Sequence, residues 1–294
     1  MRILVTGSRG QLGRELVDRA RQAGLDVIGF DLPELDITDQ EEARRLVDES
    51  NASVVINAAA YTAVDQAEEN RDLAFLVNRD GVARLALACL EVGAGLIHVS
   101  TDYVFDGKSK RPYLETDPIS PLGVYGRSKA AGDQNLREIL AEHIIVRTAW
   151  LCGFHGDNFV KTMLRLGKER DEIRVVSDQY GCPTFAADLA DGLLQIALAL
   201  RKDSGQAWGT YHYCGAGVTS WYDFAAEIFR MAKKYDTFPA RLIPIPTEEF
   251  PTLAKRPSYS VLDCGKIKKQ FEVRIRNWQD GLAEMLERLF TLPK

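Results

Sequence analysis

"RILVTGSRGQLG", residues 2–13, decides how the rest of the chain is read. Its first half is a run of apolar and β-branched residues suited to a strand buried on both faces. Its second half sets Gly7, Gly10 and Gly13 at the junction from that strand to a helix. The spacing G-x-x-G-x-x-G gives a tight turn, lets backbone N–H groups approach a pyrophosphate, and allows the helix to pack close to the sheet. Together with Gln11 and Leu12, which lie inside the motif, these glycines are expected to bind a dinucleotide.

Working outward, residues 26–31, 53–60, 95–102 and 143–150 read as further strands. Helical patterns span 10–23, 40–49, 72–92 and 122–141 between them. Strand and helix alternating in this way predict parallel β-α-β units, hence an α/β fold with a doubly wound, Rossmann-like parallel sheet. After Trp150 the alternation loosens, and the proline-rich stretch 238–260 cannot be one long element. The expected division is a dinucleotide-binding domain over 1–150 and a smaller C-terminal α/β substrate lobe over 151–294. Segments near 186–215 read as a helix and a strand returning to the first sheet.

Charge and cysteine content narrow the partners. The chain of 294 residues carries 37 basic and 42 acidic groups, a net charge of -5 with no long run of one sign. That balance argues against nucleic acid or an anionic membrane as partner. Five widely spaced cysteines without a C-x-x-C pair favour neither a disulfide framework nor a cysteine zinc site, and fit a reducing compartment. "MRILVTG" opens on a strand with no export leader ahead of it, and the most apolar later stretch, 83–99, is broken by charges and glycines. A cytoplasmic protein, monomer or homodimer, is expected.

The second strand ends at Asp31, 18 residues beyond Gly13. A carboxylate there accepts hydrogen bonds from the adenosine ribose and repels a 2′-phosphate, which favours NADH. NADPH stays open as the alternative because Arg9, Arg14 and Arg21 are near in sequence. Asp36 and Ile37 are expected to border the adenine, with Thr38 or Asp39 capping the next helix. At the end of the third strand, Ala58, Ala59 and Ala60, followed by Tyr61 and Thr62, are small enough at the start to let a cofactor lie against the backbone.

The chemical end is read from two segments. Ser100, Thr101 and Asp102 close the fourth strand, at the same sheet edge as the glycine loop. Tyr125 and Lys129 are i and i+4 on a predicted helix, so phenol and ammonium share a face. A cation so placed lowers a phenol's pKa and suits it to proton transfer. The four histidines form no metal-ligand or triad spacing and read as structural. Lys161, Arg165 and Arg256 are the second-lobe cations available for a diphosphate.

"TGSRGQLG", "NAAAYTAVDQAE", "STDYVFDG", "SPLGVYGRSKAAGD", "RTAW", "NFVKTML" and "DQYGCPT" together resemble the extended short-chain dehydrogenase/reductase family. Within it they resemble the branch that reduces dTDP-linked 4-keto-6-deoxyhexoses. The resemblance runs from residue 1 to about 190, with an echo in "RPSYSVLD" and "NWQDGLAEML". It implies NAD(P)H-dependent reduction at C4 of dTDP-4-dehydro-L-rhamnose to dTDP-L-rhamnose. Tyr125 would donate the proton, Lys129 would hold the nicotinamide ribose and tune the phenol, and Thr101 would bind the carbonyl oxygen. Ser100 or Asp102 would be the neighbouring polar contact, and Trp150 would line the sugar pocket. Ala149, Cys152 and Asp157 depart from the family's more usual Ser, aromatic and Asn. Some members dimerise around magnesium held by glutamates. Glu15 fits one such position, Asp188 and Asp191 only approximate another, and Arg288 replaces a C-terminal glutamate, so no metal site is assigned. Two alternatives stay open: a nucleotide-sugar epimerase or dehydratase, and a non-catalytic dinucleotide-binding regulatory subunit. Dehydratases of this superfamily place Asp-Glu after the threonine, where this chain has Asp102-Tyr103.

Overall fold

The computed structural model describes residues 1–200 and 207–291. Strand β1 (Arg2–Thr6) explains why the sheet is covered on both faces. Ile3 and Val5 enter one apolar cluster with Leu12 and Leu16 of α1 (Gln11–Gln22), while Leu4 enters another. Side chains of a strand alternate between faces, so a run apolar at every position needs a layer on each side. The same split recurs through β2 (Asp26–Phe30), α2 (Gln40–Ser50) and β3 (Val54–Asn57), where Ile56 joins the α1 side and Val55 the α2 side. Asp39 caps α2, its carboxylate accepting from Glu42 N at 2.9 Å.

The chain continues through α3 (Gln66–Glu69), α4 (Arg71–Phe75) and α5 (Val82–Val92) into β4 (Gly95–Thr101). One uninterrupted helix was expected over 72–92; a π-helical turn at Leu76–Gly81 breaks it instead. The wider turn carries Asn78, whose amide bonds both backbone groups of Tyr61 and the Ser128 hydroxyl. Helix α6 (Val124–Ile139) then leads to β5 (His143–Thr148). It starts two residues later than expected because Glu68 accepts from Val124 N at 2.7 Å, taking the place of a local N-cap.

Beyond β5 come β6 (Leu151–Cys152), α7 (Phe159–Glu169), β7 (Glu172–Val176), β8 (Tyr180–Gly181), β9 (Thr184–Phe185) and α8 (Ala186–Leu200). Next are β10 (Gly209–His212), β11 (Thr219–Ser220), α9 (Trp221–Ala232), β12 (Arg241–Ile245), α10 (Gly265–Phe271) and α11 (Trp278–Thr291). The main sheet runs β10-β5-β4-β3-β1-β2, all pairs parallel. Helix α8 lays Leu189 and Leu193 on the α1 cluster, and β10 extends the sheet at β5. Within the stretch 186–215, residues 201–206 lie outside the described residues, as do 292–294 at the end of the expected substrate lobe. Ile267 and Phe271 of α10 also pack into the α1 cluster, so the chain crosses back to the first layer late in the sequence. The second lobe has its own core, built from α7, α9, α11 and the parallel pair β7–β12. Among the described residues no helix is long and apolar enough to cross a membrane.

Candidate active site

Strand order reverses at β1, which lies between β2 and β3, and the carboxyl ends of β1 and β3 open a crevice there. Gly7 turns the chain with φ of 68°. A Cβ on Gly7 would stand 2.6 Å from Ala59 N, and one on Gly13 would stand 2.0 Å from Gly7 O. The first turn of α1 has no acidic residue and its N-cap, Gly10, makes no side-chain cap, so the helix N-terminus presents bare N–H groups. Such a bare helix end, approached by close-packed backbone, fits a pyrophosphate. Leu12 is buried in the core and offers only backbone. Gln11 reaches the other way, donating to Leu151 O at 3.2 Å and accepting from Asn158 at 2.8 Å. It ties the phosphate loop to the second lobe.

Further out, Asp31 accepts from Arg9 N and Leu32 N, each at 2.8 Å, and remains partly exposed. Arg9 folds over the same corner, its guanidinium donating to Leu32 O at 2.6 Å and pairing with Glu34. Asp36 and Ile37 both make contacts within the protein. Asp36 accepts from both N and Oγ1 of Thr38 at 2.8 Å, forming a turn, and Ile37 is buried against Gly81. A short acidic side chain ahead of a helix satisfies local N–H groups before it can reach outward. Ala58, Ala59, Ala60 and Tyr61, which follow β3, are half-buried, and Thr62 is exposed.

At the chemical end, Thr101 Oγ1 donates to Asp102 Oδ1 at 3.0 Å and accepts from Tyr103 N at 3.1 Å. Burial pushes the Asp102 carboxyl up to about 6, against the opposing pull of the Ser260 and Thr101 side chains. Ser100 Oγ is buried without a hydrogen-bond partner among the described residues. Tyr125 sits edge-on to Tyr103, ring centroids 5.5 Å apart. Burial raises the Tyr125 phenol, the Thr101 side chain pulls it down, and Asp102 and Asp133 push it up. Thr101, Tyr125 and Lys129 are therefore gathered at the end of β4.

Lys129 is held from the β4 side. Its Nζ donates to Val99 O at 2.7 Å and lies 3.2 Å from His98 Nε2, with no hydrogen bond to the phenol. Burial lowers its ammonium to about 8, opposed by Asp133. Burial is the largest influence on both groups, raising the phenol and lowering the ammonium. The sequence reading missed His98. It looked structural because a single histidine inside an apolar strand gives no sign of what its neighbours bring.

Trp150 adopts φ of 49° at the turn from β5 to β6 and stacks on Trp221, centroids 3.5 Å apart and planes at 8°. Trp221 was not anticipated, since it lies 71 positions away in α9. Of the second-lobe cations, Arg256 makes a forked pair with Asp65 at 2.8 and 3.0 Å. Lys161 donates to Gly156 O and Arg165 pairs with Glu169 at the surface. Glu15 pairs with Arg19 and Arg288, Asp188 with Arg276, and Asp191 with Arg19. Arginines thus meet every carboxylate weighed for a metal, and no metal-binding cluster occurs among the described residues.

Comparison with known proteins agrees along the whole chain. A family model described as the RmlD substrate binding domain matches residues 1–291. A dTDP-4-dehydrorhamnose reductase of Aggregatibacter actinomycetemcomitans is 46% identical over 97% of this chain and 98% of its own. The crystal structure of a dTDP-4-dehydrorhamnose reductase from Clostridium acetobutylicum superposes with TM-score 0.92 at 42% identity, covering 98% of this chain and 99% of its own. That of the Bacillus anthracis dTDP-4-dehydrorhamnose reductase, in complex with NADP, gives 0.89 at 40% identity over 97% and 98% of the two chains.

Proposed function

The chain belongs to the dTDP-4-dehydrorhamnose reductase family, and we propose that it reduces the C4 keto group of dTDP-4-dehydro-L-rhamnose to give dTDP-L-rhamnose. The observation that carries this reading is the meeting of Thr101, Tyr125 and Lys129 beside the cradle formed by Gly7 and Ala59. A bound reduced nicotinamide dinucleotide supplies the hydride. Tyr125 gives its phenolic proton to the C4 oxygen, so the carbonyl gains one hydrogen at carbon and one at oxygen. Thr101 turns its hydroxyl hydrogen from Asp102 to the same oxygen and holds the carbonyl in line. The Lys129 ammonium would stabilise the phenolate that the proton leaves behind, and Lys129 would hold the nicotinamide ribose.

Residues 1–150 and 186–215 are assigned to the dinucleotide, and 151–294 mainly to the sugar nucleotide. The loop from Gly7 to Gly13 and residues 58–62 take the pyrophosphate and nicotinamide side. Asp31 takes the adenosine ribose, which favours NADH; the Arg9 guanidinium beside it leaves NADPH usable. Ser100, Asp102 and Trp150 face the sugar, and Arg256 exchanges Asp65 for the diphosphate. The protein is read as cytoplasmic, monomeric or homodimeric, with no nucleic-acid partner.

The test mixes purified protein with NADH or NADPH and a panel of nucleotide-linked 4-keto-6-deoxy sugars. Stoichiometric oxidation of the reduced cofactor with formation of dTDP-L-rhamnose is expected. Sugar interconversion without net oxidation would point to an epimerase. No oxidation with any keto sugar would overturn the reading in favour of a regulatory subunit.

A further inference from the structure

Strand register sets Thr6, Asn57 and His98 side by side across β1, β3 and β4, all on the face that α6 covers. Each is almost fully buried. Asn57 Oδ1 accepts from Ala59 N at 3.0 Å and from Thr6 Oγ1 at 2.7 Å. A backbone N–H can only donate, so it fixes which end of the amide is oxygen. The other end, Nδ2, is then a donor, and it faces His98 Nδ1 at 3.0 Å. Nδ1 must accept, which leaves the ring proton of neutral His98 on Nε2. That N–H faces Lys129 Nζ at 3.2 Å.

We infer that His98 is a positioning residue for Lys129: Asn57 locks its imidazole as the Nε2–H tautomer, and that N–H opposes the lysine's third proton. An ammonium has three donors and no acceptor, so one of its N–H groups would meet another N–H head-on. A neutral amine instead offers its lone pair to Nε2–H while donating to Val99 O. The arrangement destabilises the charged lysine, directs its remaining hydrogens away from the strand, and sets the pH above which the phenolate loses its cation. The inference rests on the reductase reading for what Lys129 does, but not for its geometry.

Other charges bear on the same pocket. From α6, Asp133 is fully buried, 3.9 Å from His98 Nε2, and favours the ammonium. Its carboxylate is shared with Arg147 of β5 at 3.5 Å and Arg137 at 4.0 Å, which weaken its hold. His143 of β5 interacts with Asp133 and is itself held neutral by burial, and Tyr125 is kept protonated. Burial and the neighbouring Lys129 also keep His98 neutral.

The test reverses the tautomer. In Asn57→Asp, the carboxylate accepts from Ala59 N and Thr6 with one oxygen and from His98 with the other, placing the proton on Nδ1. Nε2 then accepts from Lys129 and stabilises the ammonium. Nitrogen NMR of protein labelled in its four histidines should find His98 as Nε2–H in the wild type and Nδ1–H in the variant. The alkaline limb of kcat should move up by about one pH unit in Asn57→Asp. His98→Leu, which only removes the opposing donor, should move it up by less. Nδ1–H in the wild type, or a reversed tautomer with an unmoved limb, would overturn the inference. Plain structural damage lowers kcat at every pH without moving the limb. Absence of all turnover would tell against the reductase reading, while the NMR result still decides the tautomer.

Discussion

At Gly7, Gly10 and Gly13 the chain offers a ligand its backbone, whereas at Thr101 and Lys129 it offers side chains shut away from water, with Tyr125 half-buried beside them. Asp31 and Arg9 stay at least partly open to solvent at the first end, while Lys129 keeps 2% of its surface and Asp133 none at the second. High dielectric blunts the charges at the open end, and burial magnifies each misplaced proton at the closed one. Substitutions should therefore act by shape at the phosphate loop and by electrostatics around β4.

The largest effect is expected at the closed end. Tyr125→Phe removes the proton and keeps the ring against Tyr103, so kcat should fall by about 10³-fold, as loss of a general acid does. Fluorescence titration should find dinucleotide affinity within about twofold of wild type, because the phosphate cradle is untouched. An unchanged kcat would assign the proton to another group.

Asp102 tests the same electrostatics through stability. Its folded pKa, about 6, stands above the ordinary 3.8 of an aspartate. The folded state therefore holds the proton more tightly than the unfolded one. Its stabilising contribution is complete below the unfolded value and is lost as pH rises through the folded one. Asp102→Asn should gain stability at mildly alkaline pH, by about 3 kcal/mol, and none near pH 3. Denaturant melts at the two pH values measure it; an equal gain at both would show that the carboxylate's charge is not the cause.

The open end should break by shape. A methyl group on Gly13 would meet Gly7 O at 2.0 Å, a backbone contact that no rotamer relieves. Gly13→Ala should weaken dinucleotide binding by about 100-fold, the equivalent of the strain that such a contact stores. The Tyr125 and Lys129 environment should keep its titration behaviour. Tight binding by this variant would mean that the loop does not carry the pyrophosphate.

How much of this was written plainly in the sequence follows the same division. The glycine loop is a local pattern, and alternation between strand and helix is a periodicity, so both could be read from neighbouring residues. The π-helical turn at Leu76–Gly81 was hidden because Asn78 shapes it through Tyr61 and Ser128, one distant and one far downstream. Asp36 is the opposite case: its partner Thr38 is only two residues away, so its turn is a local feature. The rung Thr6, Asn57, His98 needs the register of three strands, which no single segment encodes. Trp150 on Trp221 and Asp65 on Arg256 likewise join lobes that meet only in the folded chain.

Asp31 gives the smallest expected effect and the sharpest test of the open end. Its two oxygens already accept from Arg9 N and Leu32 N, one each, so Asp31→Asn keeps an oxygen for one donor and sets an NH2 group against the other. The lost negative charge stops repelling a 2′-phosphate, and Arg9, bound to Leu32 O and Glu34, can turn toward it. Because the corner is partly solvated, screening caps the gain. The ratio of kcat/KM for NADPH to that for NADH should rise by about tenfold, near 1.4 kcal/mol, with kcat itself steady. A shift as large as that expected for Tyr125→Phe would mean that Asp31 feels a drier field than its exposure implies, and the contrast between the two ends would fail there. No shift at all would mean that the backbone donors consume the carboxylate entirely, leaving the choice of cofactor to Arg9 and its neighbours.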